Sequence, residues 1–145
     1  MTVLEVMTRA PACATREMPL QEAARMMVDN NCGCIPVLDD AGEPCGVITD
    51  RDIVCRTVAI DRNPLELMVK DAMTENCVSV TTDCSLEHVC NVLEENQIRR
   101  AVVVDENNRV VGIVAQADLA RRSEVLGGEL VAAVSKPSIG PSAVH

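Results

Sequence analysis

The sequence predicts a mixed α/β (α+β) fold in which one β-α-β-β-α unit is used twice. Three observations carry that expectation. A pattern returns at an offset of 66 positions, as from Met7 to Met73. Two stretches place apolar residues at three- and four-residue spacing. Short β-branched runs are bounded by turn residues. An internal repeat has to be established early, because overlooking one misassigns the whole fold.

The repeat begins with "VMT" at 6–8, which returns as "AMT" at 72–74. At the same offset Thr15 meets Thr81, Leu20 meets Leu86, Asn30 meets Asn96 and Val37 meets Val103. Asp39 then meets Asp105, Gly46 meets Gly112, Asp52 meets Asp118 and Arg56 meets Arg122. Each copy opens on a short apolar stretch, "PACAT" or "CVSVT". An amphipathic helix follows, "LQEAARMMVDN" or "LEHVCNVLEEN", with Pro19 suited to a first helical position and Asp83 to an N-cap. A strand comes next, "CIPVLD" or "RAVVVD". The turn "DAGE" or "ENNR" carries the Gly, Asn and Asp that tight reversals favour. A second strand, "CGVIT" or "VGIVA", leads into a closing helix at Asp50 or Gln116.

The first repeat is therefore set at 1–61 and the second at 62–125, with "DRNPLELMVK" as connector. Residues 126–145 have no counterpart in either copy; their Gly, Ser and Pro content suggests a short helix at most and a partly flexible end. A unit of this size buries little apolar surface alone. The two copies are expected to stack about a pseudo-twofold axis, share a core and leave a cleft, the natural place for a ligand.

Bulk composition narrows the function. The 145 residues are 48% hydrophobic, carry a net charge of −9 and include no Phe, Tyr or Trp. Nucleic-acid binders need a basic face, and single-strand binders need stacking aromatics, so no nucleic-acid partner is expected. No apolar run approaches the ~18 residues of a membrane span. The start "MTVLEVMTRA" has neither the charge nor the apolar run of a signal peptide, which points to the cytoplasm.

Eight cysteines admit a disulfide framework, a metal site or a thiol sensor. Disulfide frameworks belong to small secreted chains. A structural zinc site asks for paired ligand spacings, whereas this chain offers only "CGC" at 32–34 and the pair Cys84 and His88. Cys55, Cys77, Cys84 and Cys90 are expected to be small buried hydrophobes. No P-loop, no G-x-G-x-x-G and no Ser-His-Asp or Cys-His constellation is present, and the chain has two histidines. No catalytic residue and no metal ligand set is assigned.

The stretch "GVITDRD" at 46–52 has two readings. Thr49 and Asp52 match the S/T-x-x-D/E signature of a capping box. They also place a hydroxyl and a carboxylate where a strand turns into a helix, a position open to polar ligands.

The doubled β-α-β-β-α unit, the lead-ins "VMT" and "DAMT", "IPVLDDAGEPCGVITDRDIV" and "IRRAVVVDENNRVVGIVAQADLA" together resemble the tandem CBS-domain pair, the family named after cystathionine β-synthase. The resemblance spans roughly residues 3 to 122. It implies a non-enzymatic regulatory module that binds an adenine nucleotide (AMP, ADP or ATP) between its repeats, dimerises with itself and signals to a protein partner. The helix face "AARMMV" is expected to lie uncovered until a second copy meets it.

Carried over position by position, the resemblance implies a pocket of Ile48, Thr49 and Asp52 from the first copy with Val78, Arg99 and Arg100 from the second. A carboxylate accepts both hydroxyl protons of a ribose diol. Adjacent arginines and the start of the "DRDIVCR" helix offer donors to phosphate. With no aromatic ring in the chain, adenine is expected between aliphatic residues such as Ile48 and Val78. The second pocket departs from the pattern. Asp118 is kept, but Ala115 replaces the Thr, and Gly33 and Cys34 stand where the other pocket has arginines. One good pocket and one weaker pocket at Asp118 are expected. The alternative on the same fold is a metal- or thiol-responsive sensor using Cys32, Cys34 or a neighbouring Cys with His88.

Overall fold

The computed structural model describes residues 1–125; the expectation for 126–145 lies outside the described residues. In chain order the elements are β1 (Thr8–Arg9), β2 (Ala14–Thr15), α1 (Leu20–Asp29), β3 (Cys34–Leu38), β4 (Pro44–Thr49) and α2 (Asp50–Arg56). After short 3-10 turns come β5 (Ser79–Thr81), α3 (Leu86–Glu95), β6 (Arg100–Val104), β7 (Val110–Ala115) and α4 (Gln116–Val125). The β-α-β-β-α order thus occurs twice.

Packing divides the chain differently from the repeat in the sequence. Pro11–Cys77 forms one compact unit, the continuous unit; Met1–Ala10 joins the described residues from Val78 to 125 in the other, the composite unit. In the continuous unit β3 lies between parallel β2 and antiparallel β4. In the composite unit the order is β1-β7-β6-β5, with β5 parallel to β6 and the other pairings antiparallel.

The lead-ins explain this division. Thr8 of "VMT" pairs with Ile113 of β7. Thr74 of "AMT" exchanges two backbone hydrogen bonds of 2.9 Å with Val47 of β4. Each lead-in therefore completes the sheet built by the other copy. Both approaches require a glycine. A Cβ on Gly46 would stand 2.3 Å from the Thr74 carbonyl oxygen, and one on Gly112 would stand 2.4 Å from Met7 Sδ and 2.9 Å from the Thr8 carbonyl oxygen.

Local devices recur at matching positions. Asp39 Oδ1 accepts from the Ala41 and Glu43 amides, both at 2.9 Å, and Asp105 Oδ1 accepts from Asn107 at 2.9 Å and Arg109 at 3.0 Å. These Asx-type bonds fix the two hairpin turns, with Gly42 and Asn108 at positive φ, 80° and 59°. Both hairpins carry a register shift, at Val37/Leu38 and at Val103/Val104.

The first-helix caps differ from expectation. Pro19 is the N-cap of α1, and the Leu20 amide finds its acceptor in the Leu67 carbonyl at 2.9 Å. Ser85, and not Asp83, caps α3 by accepting from the His88 amide at 3.1 Å. Asp83 is already engaged by the Thr81 hydroxyl.

Each unit has its own core. In the continuous unit α1 buries Leu20, Ala23 and Met27 against Ile35, Val37, Ile48, Val69 and Met73. In the composite unit α3 buries Leu86, Val89, Cys90 and Leu93 against Val3, Met7, Val103, Val114 and Leu119. Each fully buried Leu, Ile or Val contributes about 1.5–3 kcal/mol. Among the described residues no helix is long and apolar enough to cross a membrane.

Candidate functional site

The start of α2 follows directly from the sequence. Extended backbone at Thr49 (φ −116°, ψ 161°) ends β4 and leaves its hydroxyl to accept from the Asp52 amide at 3.0 Å. Asp52 answers: its Oδ2 accepts from the Thr49 amide at 3.1 Å. This is a complete capping box, which satisfies two helix-end donors reciprocally. The Thr74 hydroxyl, brought in by the second lead-in, donates to Asp52 Oδ1 at 3.3 Å, and Arg56 stands 3.9 Å from the same oxygen. Arg56 also donates to the carbonyls of Ala72, at 3.1 Å, and Met73. The carboxylate is only 1% exposed and Thr49 2%. Burial of a polar group is costly unless its hydrogen-bonding capacity is met, as it is here.

The equivalent start of α4 keeps half of the arrangement. Asp118 Oδ2 accepts from the Ala115 amide at 2.8 Å, and Ala115 has no hydroxyl to return. Asp118 is paired with Arg121, three residues on. At 11% side-chain exposure it lies nearer the surface than Asp52. The retained aspartate therefore does the same capping work in both copies.

The remaining site residues lie as follows. Ile48 is fully buried in the core of the continuous unit. In the composite unit Val78 is half-buried, and its carbonyl accepts from the Val102 amide at 3.0 Å. Arg99 and Arg100 are both exposed at the start of β6, and the Arg99 carbonyl accepts the first amide of α4, Gln116, at 2.8 Å. The structure brings Ile48, Thr49 and Asp52 together in one unit and Val78, Arg99 and Arg100 together in the other. Sequence reasoning missed Thr74 and Arg56 as partners of Asp52. Both lay in the aligned repeat, at "AMT" and at Arg56/Arg122, but nothing in the spacing connected them to Asp52.

The cysteines depart from expectation. Cys90 is buried, Cys77 and Cys84 are half-buried, and Cys55 is exposed on α2. Asp52 and Ile53 take the inward side of that helix, so Cys55 faces out. Among the described residues no three His, Cys, Asp or Glu side chains are grouped to hold a metal ion.

Comparison with known proteins defines the class. The CBS domain family model matches residues 3–56 and 69–124, and the chain belongs to that family as a tandem CBS-domain pair. Hypoxic response protein 1 of Mycobacterium tuberculosis is 32% identical over 120 residues, covering 83% of each chain. Its crystal structure, with two coordinated zinc ions, has a TM-score of 0.73 over 83% of this chain and 98% of its own. The CBS-domain pair of MJ0100, in complex with 5′-methylthioadenosine and S-adenosyl-L-methionine, is 27% identical with a TM-score of 0.74, over 84% of this chain and 98% of its own. CBSX2 in complex with AMP is 26% identical with a TM-score of 0.70, over 86% and 97%.

Proposed function

We propose that this CBS pair is a non-enzymatic, cytoplasmic regulatory module that binds an adenine nucleotide of the AMP, ADP or ATP class and passes its occupancy to a protein partner. The observation that carries this reading is that two similar CBS proteins hold ligands built on adenosine, the MJ0100 pair and CBSX2. Ile48, Thr49 and Asp52 from the continuous unit and Val78, Arg99 and Arg100 from the composite unit are the contacts proposed. The arginines are exposed, so their guanidinium groups can meet a phosphate with charge-assisted hydrogen bonds. Asp52 Oδ2 accepts from the Thr49 amide at 3.1 Å and Oδ1 from the Thr74 hydroxyl at 3.3 Å; in this reading a ribose hydroxyl takes the place of Thr74. Asp118, engaged by Arg121, marks the weaker pocket.

The same reading includes a homodimer. Val54, Val58, Ile60 and Leu65 are all more than half exposed, and all belong to the continuous unit. Within "AARMMV" Val28 is exposed as expected, whereas Ala23 and Met27 are core residues. A second copy is the proposed cover, and light scattering should give twice the chain mass at micromolar concentration. The zinc of hypoxic response protein 1 favours the metal-responsive alternative, which uses Cys32, Cys34 or a neighbouring Cys with His88. Against it stands the lack of a three-ligand group among the described residues.

A thermal-shift panel of AMP, ADP, ATP, a nicotinamide dinucleotide and S-adenosylmethionine tests the function. A ligand at a hundredfold excess over its dissociation constant adds ~2.7 kcal/mol, a midpoint rise of roughly 5–10 °C for a chain of this length. A flat panel at millimolar ligand would overturn the reading, and a rise with zinc alone would favour the alternative.

A further inference from the structure

The continuous unit holds a thiol pair that nucleotide binding does not use. Cys45 is on β4, and Cys77 is the last residue of the unit; both are half-buried, free thiols. The two hydrogen bonds between Val47 and Thr74 hold their segments side by side and antiparallel. Cys45 lies two residues before Val47 and Cys77 three residues beyond Thr74, so both fall on the same side of that bridge. Gly46 permits the close approach, since a Cβ there would stand 3.2 Å from Glu75 Cα. Residues 75–77 belong to no strand and make irregular chain, and the ladder hydrogen bonds to β6 begin only at the Val78 carbonyl.

We propose that Cys45 and Cys77 are an oxidant-sensitive pair that hydrogen peroxide converts to a disulfide, tying the second lead-in to β4. The surroundings assign the roles. Cys45 Sγ donates to the Val37 carbonyl at 3.4 Å, and Arg16, itself held by Glu75 at 2.8 Å, is a cationic neighbour of that thiol. A cationic neighbour of this kind is characteristic of reactive thiols. Cys77 is different: burial first, and then the charge of Cys45, pushes its thiol up to about 11. It stays protonated at neutral pH and serves as the resolving partner. Cys45 loses its proton and attacks one peroxide oxygen. The O–O bond breaks, and the departing hydroxide takes up that proton as water, leaving a sulfenic acid. The Cys77 sulfur then attacks the Cys45 sulfur as its own proton goes to the leaving oxygen. The S–O bond breaks and a second water departs. Two electrons pass from the sulfur pair to the peroxide, and two thiols plus one peroxide give one disulfide and two waters. Closure requires Cα atoms within ~7 Å, which the neighbouring strand bridge makes attainable. The disulfide would pin the segment bearing Thr74, the hydroxyl partner of Asp52.

The test is peptide mapping of the full chain after one equivalent of hydrogen peroxide, with the remaining thiols alkylated and no reductant in the digest. The expected product is a Cys45–Cys77 linked peptide, two hydrogens lighter than its parts and released by dithiothreitol. In Cys77→Ser, dimedone should capture a sulfenic acid at Cys45 in place of the cross-link. Arg16→Gln should slow Cys45 oxidation by about threefold, the scale of a part-exposed charge contact. Recovery of both cysteines as alkylated thiols from the wild-type chain, or of cross-links joining only other cysteines, would overturn the proposal. The wild-type map decides it even if a variant fails to fold.

Discussion

At the start of α2, Thr49 and Asp52 each bond the other's backbone amide; at the start of α4, Asp118 holds the Ala115 amide with nothing in return. The two aspartates occupy the same place in the repeat and differ in depth. Asp52 is 1% exposed and gathers a hydroxyl from Thr74 and a guanidinium from Arg56. Asp118 leans on Arg121 near the surface. A shared aspartate is therefore no evidence for a shared ligand site, because capping alone accounts for it in both copies. What sets the continuous unit apart is the polar cluster around its aspartate, which joins β4, α2 and the second lead-in.

The largest expected effect comes from removing the buried acid. Asp52→Ala leaves the Thr49 amide and the Thr74 hydroxyl without that acceptor, at a cost of about 2–4 kcal/mol. Asp118→Ala removes one cap, at a cost of about 1 kcal/mol. Urea midpoints of the two variants measure the gap; equal losses would break the comparison. Next come the glycines under the lead-ins. Gly46→Ala drives a methyl group into the Thr74 carbonyl and should cost about 2–3 kcal/mol. Gly112→Ala first meets Met7 Sδ, a flexible side chain that can turn aside, and should cost about 1–2 kcal/mol by the same assay. A reversed order would mean that the Met7 side chain yields less readily than the backbone at Thr74. The smallest effect sharpens the comparison from the other direction. Ala115→Thr rebuilds the box on α4 and should add about 0.5–1 kcal/mol, read as a raised urea midpoint.

Element order was legible because strands and helices are written in periodicity, and the offset that aligns Gly46 with Gly112 aligns everything between. The turns were legible because Asp39 and Asp105 precede Gly42 and Asn108, residue types suited to positive φ. The destination of the lead-ins was not. "VMT" and "AMT" are too short to carry a strand pattern, and β1 is only two residues long. Their partners, Ile113 and Val47, are distant in sequence or lie in the preceding copy. The role of Thr74 was hidden for the same reason. Thr49 and Asp52 were found because a capping box is local, with both halves three residues apart. The α3 cap was misplaced onto Asp83 because two neighbouring candidates, Asp83 and Ser85, stand before the helix and only the engagement of Asp83 by Thr81 separates them. Cys55 was misjudged because a helix as short as α2 gives little periodicity from which to read its outward face.

Nucleotide binding is the central claim, and equilibrium dialysis with AMP, ADP and ATP tests it most directly. Without Trp or Tyr the chain absorbs little at 280 nm, so adenine near 260 nm can be read against a low protein background. Binding should saturate near one nucleotide per chain. Arg100→Ala should weaken it by about 1.5–3 kcal/mol through loss of a charged donor, and Asp118→Ala should leave that site in place. No retained nucleotide at millimolar concentration, or two equal sites per chain with Asp118→Ala the more damaging change, would contradict the claim.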